Sequence, residues 1–557
     1  MDNATIAEYF SLLSKLMDIH GENSFKTRTY SIAAFNIDKL PQQLHTVDSA
    51  KLSSIKGIGE SVGQKVQEML ETGQLAVLEE YIAKTPPGVI DMLQIKGLGP
   101  KKINVIWKEM GIESVGELLY ACNENRLTRF KGFGEKTQKN VQEAIEFFLL
   151  NQGNFLYAQV EEVFPQINNY LEKLFPGVPV AVTGAYRRQE PVITELEFII
   201  GEENEKIRPK FLTAHPPELL EESAQGLLYK LQNGLRLRLY TGKEPLTKKL
   251  FMTTGSAPFL QGFTEAFPTV DFGTGNSADD AIVFEKAGIE YIAPCLRESP
   301  SILEKAKNNN IPQLIQVEDI KAIIHSHSNW SDGSNTLEEM AQECIRRNLE
   351  YLVISDHSKA AAYANGLSVE RIREQHHQID ALNQQFAPFK IFKSIECDIL
   401  NDGSMDYEDG ILSSFDLVIA SVHSNLQMTE EKAMMRLLKA ISHPAVTILG
   451  HMTGRLLLSR NGYPVDHKKI IAACIENNVV IEINAHPRRL DMDWRWIEYA
   501  LEQGALLSID PDAHALEGFD DIRYGVLAAQ KGGLTKEKNL SSFSLAAFEA
   551  YLESLKK

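Results

Sequence analysis

Apolar and polar positions follow three different rhythms along the chain. Up to about residue 148, apolar residues recur at helical spacing in short stretches broken by glycine-containing turns. From about 149 to 315, helical stretches mix with strand-like runs such as those at 180–183 and 196–200. From 318 onward, short apolar runs alternate regularly with amphipathic helical segments. Seven such runs are predicted as strands, mostly followed by helices, which is the pattern of a (β/α)7 barrel. The segment NNNIPQLIQVED, which contains Pro312, reads as the connection into this last zone.

The first zone contains a repeat. Ile55-Lys-Gly-Ile-Gly59, Ile95-Lys-Gly-Leu-Gly99 and Phe130-Lys-Gly-Phe-Gly134 share one pattern, and helices are predicted after each, over 61–70, 100–110 and 136–148. Two glycines around one apolar residue permit a tight turn that aims backbone N–H groups outward at a helix start, an arrangement that suits a phosphate oxygen. Single turns of this kind are common helix caps. Three copies with lysine in the same place point to a nucleic-acid backbone held without base reading, through Gly57, Gly59, Gly97, Gly99, Gly132 and Gly134. They resemble helix-hairpin-helix motifs.

Composition sharpens this. The chain of 557 residues carries a formal charge of −18, yet its first 148 residues hold 17 basic and 19 acidic side chains. Nucleic-acid contact must therefore be local or metal-assisted. Five cysteines, odd in number and with no CxxC pair, argue against a disulfide framework and a thiolate zinc finger. No apolar leader and no run of 18 apolar residues is present, so a cytoplasmic chain with no membrane partner is expected.

The strand exits of the last zone carry the chemistry. His325 and His327, then Asp332, His357, Glu396, His423, His451, Asp512 and His514, each stand at or just past the end of an apolar run. A lone histidine after a strand is usually a packed structural residue. Six of the chain's 14 histidines at such exits, joined by three carboxylates, instead predict a metal centre at the C-terminal face of the barrel. Mixed imidazole and carboxylate donors suit Mn²⁺ or Zn²⁺ better than Mg²⁺. Arg455 and the Arg488–Arg489 pair are candidates for a substrate phosphate, and Asp356 and Asn484 for orienting ligands.

Gly21-Glu-Asn-Ser-Phe-Lys26, the three hairpins, Gly184-Ala-Tyr-Arg-Arg188, Thr254-Gly-Ser256 and Tyr291-Ile-Ala-Pro-Cys-Leu-Arg-Glu298 occur in an order that resembles bacterial family X DNA polymerases. The order of the nine strand-exit residues likewise resembles the PHP (polymerase and histidinol phosphatase) motifs. The resemblance implies a helical lyase-like domain over 1–85, a fingers-like region with two hairpins over 86–148, a nucleotidyltransferase-like palm and thumb over 149–315, and a PHP domain over 318–557. It implies up to three divalent ions: one held by His325, His327, Glu396 and Asp512, one by Glu396, His423 and His451, and one by Asp332, His357 and His514. It also implies that Lys65 corresponds to the family's Schiff-base lysine, a candidate lyase nucleophile.

The palm departs from the family pattern. Its three metal-binding aspartates correspond here to Glu195, Glu197 and Arg238. Arg238 removes a carboxylate and brings a cation where metal charge would sit. The palm is therefore expected to be degenerate. The expected function is 3′–5′ exonuclease or 3′-end processing of DNA in repair, by a monomer acting on gapped or nicked duplex. Glu396, Asp512, His325 and His327 are its principal catalytic candidates. Two alternatives are a gap-filling polymerase with an accessory PHP domain and a DNA-binding scaffold with a structural metal.

Overall fold

The computed structural model describes residues 1–55, 58–123, 126–151, 153–211, 216–242, 244–272, 279–458 and 461–555. The chain divides into two compact units, Met1–Gln152 and Gly153–Lys557.

The first unit is helical. One apolar cluster runs from Ile6 to Ile145, so the segments on either side of position 85 share a core. The three glycine turns are built alike. The N–H groups of Ile58, Leu98 and Phe133 donate to the carbonyls of Ile55, Ile95 and Phe130 at 2.9, 3.1 and 3.2 Å. Burial of the same three side chains anchors each turn in the core. Helices follow at Glu60–Thr72, at Pro100–Asn104, which continues as a wider turn over Val105–Glu109, and at Glu135–Asn151.

The second unit holds a sheet and a barrel. Five strands, β1 (Val180–Thr183), β2 (Glu195–Ile200), β3 (Glu218–Ser223), β4 (Gly226–Lys230) and β5 (Arg236–Tyr240), form a sheet in the order β1-β2-β5-β4-β3. Only β2 and β5 run parallel, and their register sets Glu195 opposite Arg236 and Glu197 opposite Arg238.

The barrel strands are β6 (Ala322–Ile323), β7 (Tyr351–Ile354), β8 (Lys390–Asp398), β9 (Leu417–Ser421), β10 (Ile448–Leu449), β11 (Val480–Asn484) and β12 (Leu507–Asp510). All are parallel and adjacent in chain order. Most are buried on both faces, which explains their continuous apolar runs. The ends meet through a parallel bridge between Ser326 and Ala513, just beyond β6 and β12. Inside, Tyr351, Phe392, Leu417 and Val480 pack with Phe548 and Leu552 of the helix Leu545–Leu555. That helix fills the end where the strands begin, since Tyr351 and Leu417 are first residues of their strands and Tyr351 stacks on Phe548 at 4.6 Å. The opposite end is left to polar groups. Glu396 lies inside β8 rather than at its end, because pairing with β9 continues to Asp398 and Ser421.

Beside the five-stranded sheet, Asp280 is fully buried between Arg187 and Arg297. Burial alone would raise its carboxyl, but hydrogen bonds from Arg297 and Arg187 outweigh this and lower it from 3.8 to about 2. A depressed folded value means that this contribution is complete above pH 4 and is lost as the pH falls toward 2. Asp280→Asn is expected to remove that pH dependence and to destabilise the second unit by roughly 3–5 kcal/mol, since the buried Arg297 and the half-buried Arg187 lose their counter-charge. Thermal melts of both proteins at pH 7 and pH 3 measure it. An unchanged pH dependence would contradict the assignment.

Candidate metal centre

The barrel closure builds the site. The N–H of His327 donates to the carbonyl of Ala513 at 2.8 Å, and the N–H of Ala513 to that of His325 at 3.4 Å. This pairing sets His325 and His327 beside Asp512 and His514. His325 and Asp512 both adopt left-handed backbone, with φ of 58° and 53°. For non-glycine residues this costs on the order of 1 kcal/mol each, and such strain concentrates at functional sites.

Glu396 is the hub. Its oxygens lie 3.3 Å from His325 Nε2, 3.6 Å from His327 Nε2, 3.0 Å from His357 Nδ1, 3.0 Å from His423 Nε2 and 2.9 Å from His451 Nε2. Asp512 Oδ1 lies 3.1 Å from His327 Nε2 and 3.5 Å from His325 Nε2. Asp332 stands 3.7 Å from His357 and 3.5 Å from His514. The structure thus brings together all nine strand-exit residues. Four overlapping groups could each hold an ion: His325 with His327 and Asp512; His325 with Glu396 and His451; His357 with Glu396 and His423; and His327 with Asp332, His357 and His514.

The donor set fits divalent metal on two grounds. His325 Nε2 and Glu396 Oε2 are buried without a well-formed hydrogen bond, which is costly unless another partner takes them. The carboxylates are also held ionised. Burial opposes the charge on Glu396, but His423, His325 and His357 outweigh it and hold the group well below the usual carboxylate range. Burial lowers His327 to about 3, with His514 and His357 adding to the effect, so this imidazole is a neutral donor.

Several orienting groups were not singled out by sequence reasoning. Glu482, fully buried in β11, contacts His325 Nδ1 and accepts from the backbone N–H of His451. It fixes which ring nitrogen of His325 faces the cluster. A carboxylate in the middle of the apolar run Val480-Ile-Glu-Ile was the available signal, because a buried charge needs a partner. Asp398 does the same for His423 at 3.3 Å. Asn484 donates to Asp512 Oδ2 at 3.1 Å, as expected. Asp356 instead ties down the loop after β6, accepting from Ser328, Ser331 and Gln375.

Arg455 is not brought to the cluster. It pairs with Asp493 and donates to the carbonyls of Arg489 and Leu490. Arg488 is exposed, while Arg489 Nε lies 3.6 Å from Asp512 Oδ2. The guanidinium at the edge of the site is therefore that of Arg489.

The five-stranded sheet looks different. Arg238 Nε donates to Glu195 at 2.9 Å and Nη1 to Glu221 at 3.2 Å. Glu197 turns to the N–H of Ala185 at 2.8 Å and the hydroxyl of Tyr240 at 3.0 Å. It fills the space over Gly184 so fully that a Cβ there would lie 1.6 Å from Glu197 Oε2. Both carboxylates are thus engaged within the protein, Glu195 by a guanidinium and Glu197 by a backbone N–H and a hydroxyl. Arg187 and Arg188 are engaged by Asp280 and Glu298.

In the first unit, Lys65 is half-buried on the helix Glu60–Thr72, its ammonium 5.9 Å from the Tyr30 ring centre. Gly57 lies outside the described residues. Gly97 and Gly132 adopt φ of +88° and +96°, which excludes other residues without strain. Gly59, Gly99 and Gly134 face open space, where a Cβ would meet nothing within 4 Å.

Exposure is graded across the cluster: the His325 side chain is 0% exposed and that of His514 is 42%. His325→Ala is expected to lower metal affinity about 10–100-fold, and His514→Ala only a few-fold because water can replace it. Metal titration of the two variants tests this. Equal losses would contradict the gradient.

Three family models match the chain: a helix-hairpin-helix domain over residues 1–75, a SAM-like helix-hairpin-helix tandem over 89–146 and a PHP domain over 324–486. Among curated proteins, the DNA polymerase/3′-5′ exonuclease PolX of Bacillus subtilis (strain 168) is 31% identical over 99% of this chain and 100% of its own length. A probable phosphatase of Thermoanaerobacter sp. (strain X514) is 23% identical over 43% of this chain and 97% of its own length. DNA polymerase lambda of Arabidopsis thaliana is 25% identical over 39% of this chain and 38% of its own length. The match along the full length of PolX, together with the hairpin and PHP domains, shows that the chain belongs to the bacterial family X DNA polymerases with a C-terminal PHP domain.

Proposed function

We propose that this chain is a metal-dependent phosphoesterase that trims or cleans DNA 3′ ends from its barrel, in DNA repair. One observation carries the reading. Nine metal-type donors converge on the barrel end, whereas the carboxylate positions of the five-stranded sheet are closed by Arg238 and Glu197. The ion partition implied by the family resemblance is retained. Glu396 would serve two sites and Asp332, His357 and His514 a third, with Mn²⁺ or Zn²⁺ as occupants. Bound there, such ions lower the pKa of water and stabilise charge on phosphoryl oxygens. The protein's own residues do the rest. Glu482 and Asp398 orient two imidazoles, the left-handed turns at His325 and Asp512 aim two ligands, and Arg489 offers a guanidinium to a phosphate at the rim.

The hairpins would hold gapped or nicked duplex through phosphates approaching the open faces of Gly59, Gly99 and Gly134. Lys65 remains a lyase candidate. The segment boundaries at 85, 148 and 318, monomeric action and a cytoplasmic location complete the proposal.

The polymerase reading is favoured by the fold and by the name of the B. subtilis relative. Labelled gapped DNA with Mn²⁺, with and without dNTPs, separates the two. Shortening from the 3′ end, abolished by chelator and indifferent to dNTPs, is expected; efficient templated extension would overturn the proposal. For the hairpins, Gly99→Val and Gly134→Val should fold normally yet bind gapped DNA more weakly, each reducing the slope of log affinity against log salt by about one. Unchanged affinity would remove the hairpins from the interface.

A further inference from the structure

The helix Ile522–Lys531 lies hard against the barrel: a Cβ on Gly525 would come within 2.6 Å of both Ala485 and Ile509. Lys531, at its end, meets residues of the stretch that carries the five-stranded sheet. Its side chain is 0% exposed, and Nζ lies 2.6 Å from Glu298 and 3.1 Å from Glu190 and donates to the carbonyl of Arg188 at 2.8 Å. Arg188 itself pairs with Glu298 at 2.9 Å and donates to the carbonyl of Thr254 at 2.7 Å. The arginine of the Gly-Ala-Tyr-Arg-Arg motif is thus built into a socket for a lysine of the barrel.

The same ammonium sits 4.4 Å from the ring centre of Trp494. One further contact reaches neighbouring residues of this stretch: Lys305 pairs with Glu498 at 2.6 Å. The stretch leads to the metal centre in three steps. Asp493, next to Trp494, holds Arg455; Arg455 donates to the carbonyls of Arg489 and Leu490; Arg489 Nε lies 3.6 Å from Asp512. Trp494 joins Asp493 through the chain, and Asp493–Arg455 and Arg489–Asp512 are close charge pairs. Arg455 fixes the backbone that carries Arg489 by charge-assisted hydrogen bonds, contacts that constrain geometry most among half-buried or buried groups.

We propose that Lys531 is a positioning residue for the barrel site, and that the degenerate palm serves as the rigid socket that sets the Arg489 guanidinium through Trp494, Asp493 and Arg455. The inference rests on the phosphoesterase reading above for its activity readout, but not for its structural one. The ion pairs of Arg188, Glu190 and Glu298 would then serve this positioning task.

The test uses the full-length protein with Lys531→Met, which keeps the apolar stem and removes the ammonium. Hydrogen exchange over residues 486–496 should rise in the variant relative to wild type. With Mn²⁺ and a labelled 3′-end substrate, KM should rise about tenfold with kcat and metal content little changed, since a displaced guanidinium weakens phosphate binding rather than the ion cluster. Because Lys531 acts through Arg489, Lys531→Met should add no further loss in an Arg489→Lys background. If Lys531→Met fails to fold, Lys531→Met/Glu190→Gln removes the carboxylate that loses its counter-charge, since Glu298 keeps Arg188, and carries the same expectations. Unchanged exchange over 486–496, or losses that multiply with Arg489→Lys, would overturn the inference. A wild-type protein that hydrolyses no phosphoester would defeat the phosphoesterase reading alone and leave the exchange result to decide this one.

Discussion

Burying the carboxylate of Glu396 is the constraint around which the barrel end is organised. A fully buried anion is tolerable only with positive charge beside it, and five imidazoles lie within 3.6 Å of this one. They come from four separate strand exits: those of β6, β7, β9 and β10. His357 and His423 follow the two strands that flank β8, and His357 is bridged directly to Glu396, whereas the histidines after β6 and β10 come from strands one place farther out and reach it because the sheet curls. Closure is made by the backbone pairing of 325–327 with 512–514, the stretches that also carry His325, His327, Asp512 and His514. The local cost is left-handed backbone at two ligands and several unsatisfied buried atoms. Apolar packing at the opposite end, with Phe548 and Leu552 among the strand starts, offsets it.

The two potential phosphoryl-transfer sites of the second unit make a controlled comparison. In the sheet, acidic residues meet a cation supplied by the chain, and every oxygen finds a donor within the protein: Arg238 for Glu195, Ala185 and Tyr240 for Glu197. Such a site is self-satisfied and has no electrostatic need for an ion. In the barrel, carboxylates meet imidazoles instead of a guanidinium, His327 among them is kept neutral by burial, and buried atoms such as His325 Nε2 and Glu396 Oε2 lack a well-formed hydrogen bond. Fold alone does not assign chemistry to either site; the partners of the carboxylates do.

Much of this was legible in the sequence. The seven strands, their order and the convergence of nine side chains follow from continuous apolar runs that each end in a metal-type residue, because a doubly buried strand and a polar strand exit leave strong patterns. The three glycine turns were readable for a different reason, a repeated apolar-Lys-Gly-apolar-Gly pattern ahead of each helix. What the pattern could not carry was anything set by long-range pairing. Glu482 was hidden because its carboxylate answers a histidine 157 residues away. Arg455 was misread because only the fold brings Asp493 and two carbonyls to it. Glu396 was placed at a strand end because the continuation of β8 to Asp398 depends on pairing with β9. The left-handed turns at His325 and Asp512 leave no compositional trace at all.

The most direct test of this account is a paired measurement on Glu396→Ala: bound divalent metal per chain and 3′-end hydrolysis, on the same preparation. Loss of the hub carboxylate leaves the surrounding imidazoles without their shared anion. The account predicts loss of metal together with a fall in hydrolysis of about 10³-fold or more, while binding of gapped DNA is retained. A variant that has lost its metal yet trims DNA at the wild-type rate would place the catalytic site elsewhere in the chain.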